Sequence, residues 1–422
     1  MENRELGIYI HIPFCQHKCD YCDFVSFSNK QEFIENYMEA LKKEIHHYFK
    51  DKTLLERYTV TTIYIGGGTP SFIESKYILE IMHILEENLK DNMVKMADME
   101  ITIEVNPGTV NKEKLEEYRK AKINRLSIGL QSTNNDILKQ IGRIHTFEQF
   151  LETYQMAKEV GFDNINVDLM IGLPNQTIED IKTSLTEIMQ LNPTHISVYS
   201  LIIEEGTVIA KKIESQQLQE MDEELERNMY WYVKNTLELN GHKHYEISNF
   251  AKKGKESKHN LNCWRQKEYI GIGLSAHSYL NSVRYANTIE MEQYIVRMNN
   301  LNEQIVNNIL ELSKDKEKTN IEEKANIKEK INIEENIETV YEIEEIQELE
   351  DRKREYMLLG LRTLEGVSIA KFKEKYIDNP IFLYRKELEK LVEEKLVMID
   401  GDDIKLTNKG IDLANLVWEE FV

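Results

Sequence analysis

Residues 11–24 read HIPFCQHKCDYCDF and hold three of the four cysteines in the 422-residue chain. Cys15, Cys19 and Cys22 follow the spacing C-x3-C-x2-C and come directly after GIYIHI (7–12), a short apolar run that predicts a β-strand. In a reducing compartment, cysteines clustered in this way are more often metal ligands or catalytic groups than disulfide partners. This segment therefore predicts a reactive or metal-binding loop at the end of a strand.

The cysteine trio is compatible with three kinds of site. A structural zinc site needs four ligands, so Cys263, His11 or His17 would have to complete it. A redox pair would need only the C-x-x-C and would leave Cys15 without a role. A [4Fe-4S] cluster ligated at three irons keeps its fourth iron open, and the amino and carboxylate groups of a methionine derivative could bind there.

Five more segments rich in Ile, Val and Tyr alternate with stretches of helical periodicity. They are VTTIYIGG (60–67), MEITIEVN (99–106), NRLSIGLQ (124–131), NINVDLMIG (164–172) and HISVYSLII (195–203). Strands that alternate with helices predict a parallel sheet with right-handed crossovers, either open or rolled into a barrel. Each strand runs into polar or glycine-rich residues at its C-terminal end, where parallel α/β folds place their active sites. We therefore expect six segments to contribute to one cavity.

Composition narrows the class of protein. The chain is 41% hydrophobic and 30% charged, which is typical of a soluble globular protein. Its net charge of -21 argues against a general nucleic-acid binder, because phosphate contacts need a basic face. The first residues show no signal-peptide pattern, and no stretch of the sequence approaches the roughly 20 apolar residues of a membrane span, so a cytoplasmic location is expected.

The cysteine spacing, with Tyr21 before the last cysteine, resembles the signature of the radical S-adenosylmethionine superfamily, and so does GGGTP (66–70) after the second strand. The resemblance implies a [4Fe-4S] cluster and S-adenosyl-L-methionine as cofactors. It assigns the cluster to Cys15, Cys19 and Cys22. It assigns contacts with S-adenosylmethionine to Tyr9, Tyr21, Gly67, Gly68, Thr69, Glu104, Gln131, Arg143 and Asp168.

The chemistry of these residues suits the roles that the resemblance gives them. Tyr9 shares a strand face with His11, since alternate residues point the same way. Arg143 can pair with the methionine carboxylate, and Asp168 can accept hydrogen bonds from ribose hydroxyls. Four of the expected cofactor contacts also have a purely structural interpretation. Glu104 and Asp168 could be strand-end caps, Arg143 could form a surface salt bridge, and Gln131 could be a core amide.

Within the superfamily, the chain resembles the coproporphyrinogen oxidase-like group, through segments such as IYIGGGTPS and IGIGLSAHSY. The oxygen-independent coproporphyrinogen III oxidases (HemN) of this group decarboxylate a porphyrin precursor with an adenosyl radical, whereas the HemW family consists of heme chaperones. The oxidase pattern has a further cysteine two residues after the third, where this chain has Phe24, and an N-terminal extension that is not seen here. The resemblance thus favours the chaperone, with the oxidase as the alternative and a zinc-stabilised binding protein as a third hypothesis. Enzyme activity is left open.

The HemW family carries the motif H-N-x-x-Y-W, associated with heme binding, and residues 259–264 here read HNLNCW. His259 and Cys263 are therefore candidate heme ligands, since imidazole and thiolate both bind heme iron. Their structural alternatives are a hydrogen-bonded loop histidine and a small buried cysteine. His277 is a weaker candidate for heme contact. The implied partners are heme and recipient hemoproteins, with membrane-associated respiratory proteins as candidates and no nucleic acid. The oligomeric state stays open.

We predict an α/β fold: a partial (β/α)6 radical-SAM TIM-type barrel with a small C-terminal α+β, winged-helix-like domain. The predicted divisions are a radical SAM core over 1–235, an extension with the HNxxCW motif over 236–312, an acidic low-complexity insertion over 313–350, and a C-terminal domain over 351–422. A β-hairpin is expected at LVMIDGDDIKLT in the last of these.

Overall fold

The computed structural model describes residues 4–50, 52–89, 99–300 and 341–422. Its strands are β1 (Arg4–Ile12), β2 (Tyr58–Gly67), β3 (Glu100–Val105), β4 (Arg125–Gln131), β5 (Asn164–Ile171), β6 (His195–Ser200), β7 (Lys243–Glu246), β8 (Asn249–Ala251), β9 (Glu268–Ile272), β10 (His277–Leu280), β11 (Val283–Asn287), β12 (Tyr341–Ile346), β13 (Val367–Ser368), β14 (Val397–Asp400) and β15 (Asp403–Leu406).

The α-helices in the same ranges are α1 (Ile34–Phe49), α2 (Thr53–Arg57), α3 (Ser75–Leu89), α4 (Lys112–Lys120), α5 (Asn135–Gln140), α6 (Phe147–Glu159), α7 (Ile178–Leu191), α8 (Val208–Glu214), α9 (Glu223–Leu239), α10 (Lys258–Trp264), α11 (Met291–Asn299), α12 (Leu349–Gly360), α13 (Ile369–Tyr376), α14 (Pro380–Leu383), α15 (Arg385–Glu393), α16 (Asn408–Asp412) and α17 (Ala414–Glu419). Two single 3-10 turns occur at Gln31–Phe33 and Pro70–Phe72.

The chain divides into two compact units. The first consists of Met1–Gly129, Gly142–Asp163 and Glu268–Ile346, and the second of Leu130–Ile141, Asn164–Lys267 and Gln347–Val422. All six predicted strands are present as β1 to β6, each within a few residues of its expected bounds. The prediction of a mostly parallel α/β fold is confirmed.

In the first unit, β1 lies between two parallel neighbours, β2 and β9. β3 and β4 extend the parallel arrangement from β2, while β10, β11 and β12 add an antiparallel edge beyond β9. Leu6, Ile8 and Ile10, which share one face of β1, are fully buried, so this face of the strand packs into the core. The C-terminal end of β1 therefore delivers the cysteine segment from a fixed position in the core.

Glu44 of α1 is a fully buried carboxylate that ties this helix to the antiparallel edge. Burial raises its pKa, and four donors oppose that effect. The donors are the Gly273 N–H at 2.8 Å, Tyr294 Oη at 2.6 Å, Asn287 Nδ2 at 2.8 Å and Tyr341 Oη at 3.0 Å. On the same helix, Tyr37 donates to the His11 carbonyl oxygen at 2.7 Å. These bonds fix the end of β1 where the cysteine segment begins.

In the second unit, β5 and β6 are parallel, and β8 and β7 continue from β6 in antiparallel order. The C-terminal part of this unit has its own three-stranded antiparallel sheet, in the order β13-β15-β14. The expected hairpin is β14 and β15, which turn at Gly401 with φ of 63°. Helices α12 to α17 surround this sheet, with Phe372 and Ile404 fully buried in the shared core.

The predicted domain boundaries stay predictions, because the described ranges do not test them. Residues 313–340 of the predicted acidic insertion lie outside the described residues, and its last part contains β12. Of the helices that the structure describes, none combines the length and the apolar character that a membrane crossing requires.

A pH dependence of stability follows from Glu246, the last residue of β7. Its side chain is buried, and burial raises its pKa to about 7 from an ordinary value of 4.5, although the Asn249 side chain and the Arg362 charge act in the opposite direction. The native state therefore binds this proton more tightly than the unfolded chain. The resulting stabilisation is fully present below about pH 4.5 and is lost as the pH rises through about 7. It amounts to about 3 kcal/mol of unfolding free energy.

We expect Glu246→Gln to remove this contribution, because the amide stays neutral. Urea unfolding of both proteins between about pH 5 and pH 8 would measure it. The variant should gain stability over the parent protein as the pH rises. Curves that stay parallel over this range would show that Glu246 ionises normally in the folded state.

Candidate functional site

The three clustered cysteines lie on a closed loop after β1. The loop is pinched at its base, where the Cys15 N–H donates to the Phe27 carbonyl at 2.9 Å and the Phe27 N–H donates to the Pro13 carbonyl at 2.8 Å. A tight turn brings the Cys22 N–H within 3.1 Å of the Cys19 carbonyl oxygen. None of the three thiols forms a disulfide. The loop therefore presents three thiols from one short, anchored segment.

The environment of the thiols fits a set of soft metal ligands. Cys15 is buried, while Cys19 and Cys22 are partly exposed. Burial raises the pKa of the Cys15 and Cys22 thiols, so cluster assembly has to displace these protons. Thiolates are the ligands that iron–sulfur clusters use, each bound to a different iron. Within the ranges that the structure describes, no three His, Cys, Asp or Glu side chains are grouped so as to hold a single metal ion.

Arg143 contacts the cysteine loop from the segment before α6. Its Nη1 lies 3.5 Å from Cys19 Sγ, and its Nη2 donates to Asn106 Oδ1 at 2.9 Å and to the Gly129 carbonyl at 2.5 Å. Cys19, Thr69, Asn106 and Arg143 line one small cavity. The guanidinium thus stands beside the predicted cluster, where it could receive a carboxylate.

Asn106 is a site residue to which sequence reasoning gave no role of its own. It accepts from Arg143 through Oδ1 and donates to Thr69 Oγ1 through Nδ2 at 2.9 Å. Thr69 Oγ1 in turn donates to Cys15 Sγ at 3.6 Å. The one sequence signal was its position, since Asn106 follows β3 at the strand edge where functional residues are expected.

The glycines after β2 allow the backbone to approach the cysteine loop. Gly67 has φ of 113°, and a Cβ atom there would lie 2.6 Å from the His11 ring. A Cβ atom on Gly68 would lie 3.0 Å from Cys15 Sγ and from the Phe14 backbone. A side chain at Gly67 would collide with the His11 ring and strain the backbone, so this position requires glycine, while Gly68 leaves little room for a side chain beside Cys15.

Glu104 links β3 to the glycine segment. Its Oε1 accepts from Tyr64 Oη at 2.9 Å, and its Oε2 accepts from the Gly67 N–H at 3.1 Å. A carboxylate held in this way offers a fixed acceptor next to the glycines. An amino group is a donor, so Glu104 and the backbone carbonyls nearby suit the methionine end of the expected cofactor.

Tyr9 and His11 occupy the same face of β1, as expected. Tyr9 Oη lies 3.0 Å from His11 Nδ1, and His11 Nε2 lies 2.9 Å from the Val25 carbonyl. Burial lowers the pKa of His11 to about 4, so it is neutral, with Nε2 donating to Val25 and Nδ1 accepting from Tyr9. Both ring nitrogens are therefore engaged, which disfavours His11 as the fourth ligand of a zinc site. Tyr21, beside Cys22, has its pKa raised by burial.

Two of the nine expected cofactor contacts lie in the second unit, and the other seven in the first. Gln131 ends β4 with φ of 72°, a left-handed conformation that is uncommon for residues other than glycine. Asp168, half-buried on β5, accepts from Asn166 Nδ2 at 2.7 Å. Of the seven in the first unit, Thr69 contacts Cys15 and Arg143 contacts Cys19 directly.

The HNLNCW motif forms helix α10 in the second unit. Ser257 caps its N-terminus by accepting from the Asn260 N–H at 3.4 Å. His259 is buried, at 7% exposure, whereas Cys263 is partly exposed. The Trp264 ring lies 4.5 Å from the Arg362 guanidinium. His277 belongs to the first unit, where it is exposed and contacts Glu344 at 3.0 Å.

A cleft of about 610 Å³ opens beside the end of α10, within the second unit. Two aromatic side chains line it, Trp264 and Tyr356, together with four basic ones, Arg265, Lys267, Lys371 and Lys375. Of the acidic residues in its wall, Glu365 is paired with Lys243 at 3.2 Å and with Arg265 at 3.5 Å. The volume falls in the range typical of small-molecule sites.

Comparison with known proteins gives matches over nearly the whole chain. Residues 9–188 match the model of the radical SAM superfamily, and residues 347–413 match that of the HemN C-terminal domain. The heme chaperone HemW of Lactococcus lactis is 34% identical over 98% of this chain and 96% of its own length. That of Bacillus subtilis is 34% identical over 98% of both. The coproporphyrinogen III oxidase HemN of Escherichia coli superimposes with a TM-score of 0.78 at 23% identity, over 99% of this chain and 90% of the oxidase, which shows the shared fold.

Proposed function

The chain belongs to the HemW family of the radical S-adenosylmethionine superfamily, and from this membership we propose that it binds heme and delivers it to hemoproteins. The observation that carries the proposal is the match over almost the full length to two relatives that bear the name heme chaperone. A near-complete match includes the C-terminal part and the motif on α10, where the distinguishing features of the family are expected.

The residue two positions after Cys22 favours the chaperone over the oxidase. The oxidase pattern has a further cysteine at the position of Phe24, whose side chain here is 63% exposed. Its carbonyl oxygen accepts from Lys18 Nζ at 2.9 Å and from Ser26 Oγ at 3.3 Å. An exposed aromatic side chain gives an apolar surface at this end of the loop and removes the ligand or nucleophile that a thiol would supply.

We further propose that Cys15, Cys19 and Cys22 hold a [4Fe-4S] cluster and that the neighbouring residues hold S-adenosylmethionine. The bound cluster would supply an electron for cleavage of the cofactor, as in the superfamily at large. The chain's own groups do the binding: Arg143 would pair with the cofactor carboxylate. Glu104 would accept from its amino group. Asn106 keeps the Arg143 guanidinium in place at the edge of the loop.

For the heme macrocycle we propose the cleft beside α10. Trp264 and Tyr356 offer apolar faces for a planar ring, and Lys267 and Lys371 offer positive charge for the two propionates. Cys263 precedes the cleft residue Trp264 and is the more exposed of the two candidate iron ligands, while His259 would have to move outward to reach an iron.

Anaerobic reconstitution with iron and sulfide, followed by three assays, tests the proposed function. We expect heme to titrate to saturation by its Soret absorbance. The loaded protein should transfer heme to apomyoglobin as a probe acceptor, and coproporphyrinogen should not be decarboxylated. Turnover of coproporphyrinogen would establish the oxidase instead. Zinc in place of iron, with no heme bound, would support the third hypothesis.

The location of the heme site is tested by a charge reversal in the cleft. We expect Lys371→Glu to weaken heme binding by about 5-fold to 10-fold, because it replaces a charge-assisted partner of a propionate with a repulsive one. Lys386→Glu makes the same change of net charge at an exposed position on α15 that does not line the cleft, and its heme affinity should be unchanged. Equal effects of the two variants would place the macrocycle elsewhere.

A further inference from the structure

A continuous series of buried hydrogen bonds runs through the second unit from Asp168 to the start of α10. Asp168 Oδ1 is 2.7 Å from Asn166 Nδ2, and Asn166 Oδ1 is 2.6 Å from His195 Nδ1. His195 Nε2 is 2.8 Å from Tyr245 Oη, and the Ser257 N–H donates to that oxygen at 3.2 Å. Asn166, His195, Tyr245 and Ser257 are each at most 3% exposed.

The donors in this series all point the same way. An amide N–H can only donate, so Ser257 donates to Tyr245 Oη. An amide oxygen can only accept, so a neutral His195 carries its proton on Nδ1 and donates to Asn166 Oδ1, which leaves Nε2 to accept from the Tyr245 hydroxyl. Asn166 Nδ2 donates to the Asp168 carboxylate. A one-directional series that ends on a charged acceptor is polarised along its length, and each bond strengthens the next.

The proposed function gives each end of the series a link to a ligand. Asp168 is the residue expected to accept hydrogen bonds from the ribose of S-adenosylmethionine. Ser257 is the N-cap of α10, the helix that carries His259 and Cys263. The side chains that connect them belong to β5, β6 and β7, so the connection crosses the sheet of this unit.

We propose that Asn166, His195 and Tyr245 are positioning residues that couple occupancy of the cofactor site at Asp168 to heme binding on α10. The inference rests on the proposed function, since it assumes both ligands. Ribose hydroxyls that donate to Asp168 make its carboxylate a weaker acceptor for Asn166. The remaining hydrogen bonds of the series, from Asn166 to Ser257, then become less polarised. The N-terminal turn of α10 is then held less firmly, and the buried His259 moves outward more readily. Cofactor binding thus favours heme binding, and by linkage heme favours the cofactor.

The test compares two tyrosines of the second unit. Tyr245→Phe removes the hydroxyl that joins His195 to Ser257. Tyr230→Phe is the matched control, because it removes a hydroxyl bonded to the Ile247 carbonyl at 3.0 Å that is not part of the series. Each full-length protein is reconstituted with its cluster and titrated with heme, with and without S-adenosylmethionine, in the absence of a reductant that would cleave the cofactor. Hydrogen exchange of the α10 amides in the same samples gives a readout independent of heme.

In the parent protein and in Tyr230→Phe, we expect the cofactor to tighten heme binding by about 5-fold or more and to speed exchange in α10. In Tyr245→Phe, heme affinity and exchange should already be at the cofactor-bound level and should respond by less than about 2-fold. If that variant does not fold, Asn166→Ala breaks the series at its other end and should give the same result. A full cofactor response in Tyr245→Phe, or heme binding in the parent protein without any response, overturns the coupling. Failure of the parent protein to bind heme under either condition contradicts the proposed function itself.

Discussion

Replacing Cys19 with serine is expected to leave the protein unable to assemble its [4Fe-4S] cluster. A serine hydroxyl is a harder ligand than a thiol and keeps its proton at neutral pH, so one iron would lose its protein ligand. Iron and acid-labile sulfide analysis after anaerobic reconstitution should fall from about four of each per chain to near zero, with loss of the charge-transfer absorbance. This substitution has the largest expected effect, because it removes the whole cluster.

The fourth cysteine supplies the matched control for this variant. Cys263→Ser makes the same chemical change on α10, which belongs to the second unit, whereas the loop with the other three cysteines belongs to the first. Its iron and sulfide content should equal that of the parent protein, whatever its effect on heme. A Cys19→Ser protein with a full complement of iron and sulfide would contradict the ligand assignment. Loss of iron in Cys263→Ser would indicate a site closed by four protein ligands.

Replacing Gly67 with alanine is expected to have the second largest effect, on both stability and cofactor binding. Alanine there would have to adopt φ of 113° and would place Cβ at 2.6 Å from the buried His11 ring. Left-handed backbone costs a non-glycine residue about 1–2 kcal/mol, and overpacking adds about 1–3 kcal/mol. We expect Gly67→Ala to lower the unfolding free energy by about 2–5 kcal/mol. It should also weaken S-adenosylmethionine binding by at least about 10-fold. The reason is that the glycine segment after β2 would shift, and its backbone acceptors would no longer be in place for the cofactor.

Alanine at Gly161 distinguishes the backbone contribution from the overpacking contribution. Gly161 lies after α6 in the same unit with φ of 93°, and apart from its chain neighbours no described residue comes within 4 Å of where its Cβ would be. Gly161→Ala should therefore lose only the backbone contribution, about 1–2 kcal/mol of unfolding free energy, and should bind the cofactor normally. Urea unfolding followed by circular dichroism, and equilibrium dialysis with the cofactor, measure both quantities. Equal losses in the two variants would mean that the His11 contact is unimportant.

The amino-acid sequence was sufficient for those features that depend on neighbours along the chain. The spacing of Cys15, Cys19 and Cys22 fixes how far apart three thiols on one loop can lie, and alternating apolar residues specify a strand. β1 and β6 appear where the patterns predicted them, although β1 begins three residues earlier and β6 ends three residues sooner. The hairpin of β14 and β15 was likewise predictable, because a two-residue turn with glycine joins two short strands.

The features that sequence reasoning missed depend on residues far apart in the chain. Asn106 stands between Thr69 and Arg143 because β2 and β3 are neighbours and the segment before α6 returns to their ends. On sequence alone, Glu44 is expected to be an exposed polar residue of an amphipathic helix. In the structure it is buried and accepts hydrogen bonds from four donors in distant segments. No local pattern distinguishes such residues from ordinary surface positions.

The order of residues along the chain was enough to predict the kind of chemistry: three thiols on one loop, a glycine segment after the second strand, and strands that alternate with helices. Covalent spacing and side-chain periodicity depend only on neighbours along the chain, so they can be recognised without knowing how the strands pack. Three features became visible only in the folded chain: both His11 nitrogens are hydrogen-bonded, His259 is buried, and Asn166, His195 and Tyr245 connect Asp168 to α10. Those contacts require strand register and packing, which bring together side chains up to dozens of residues apart.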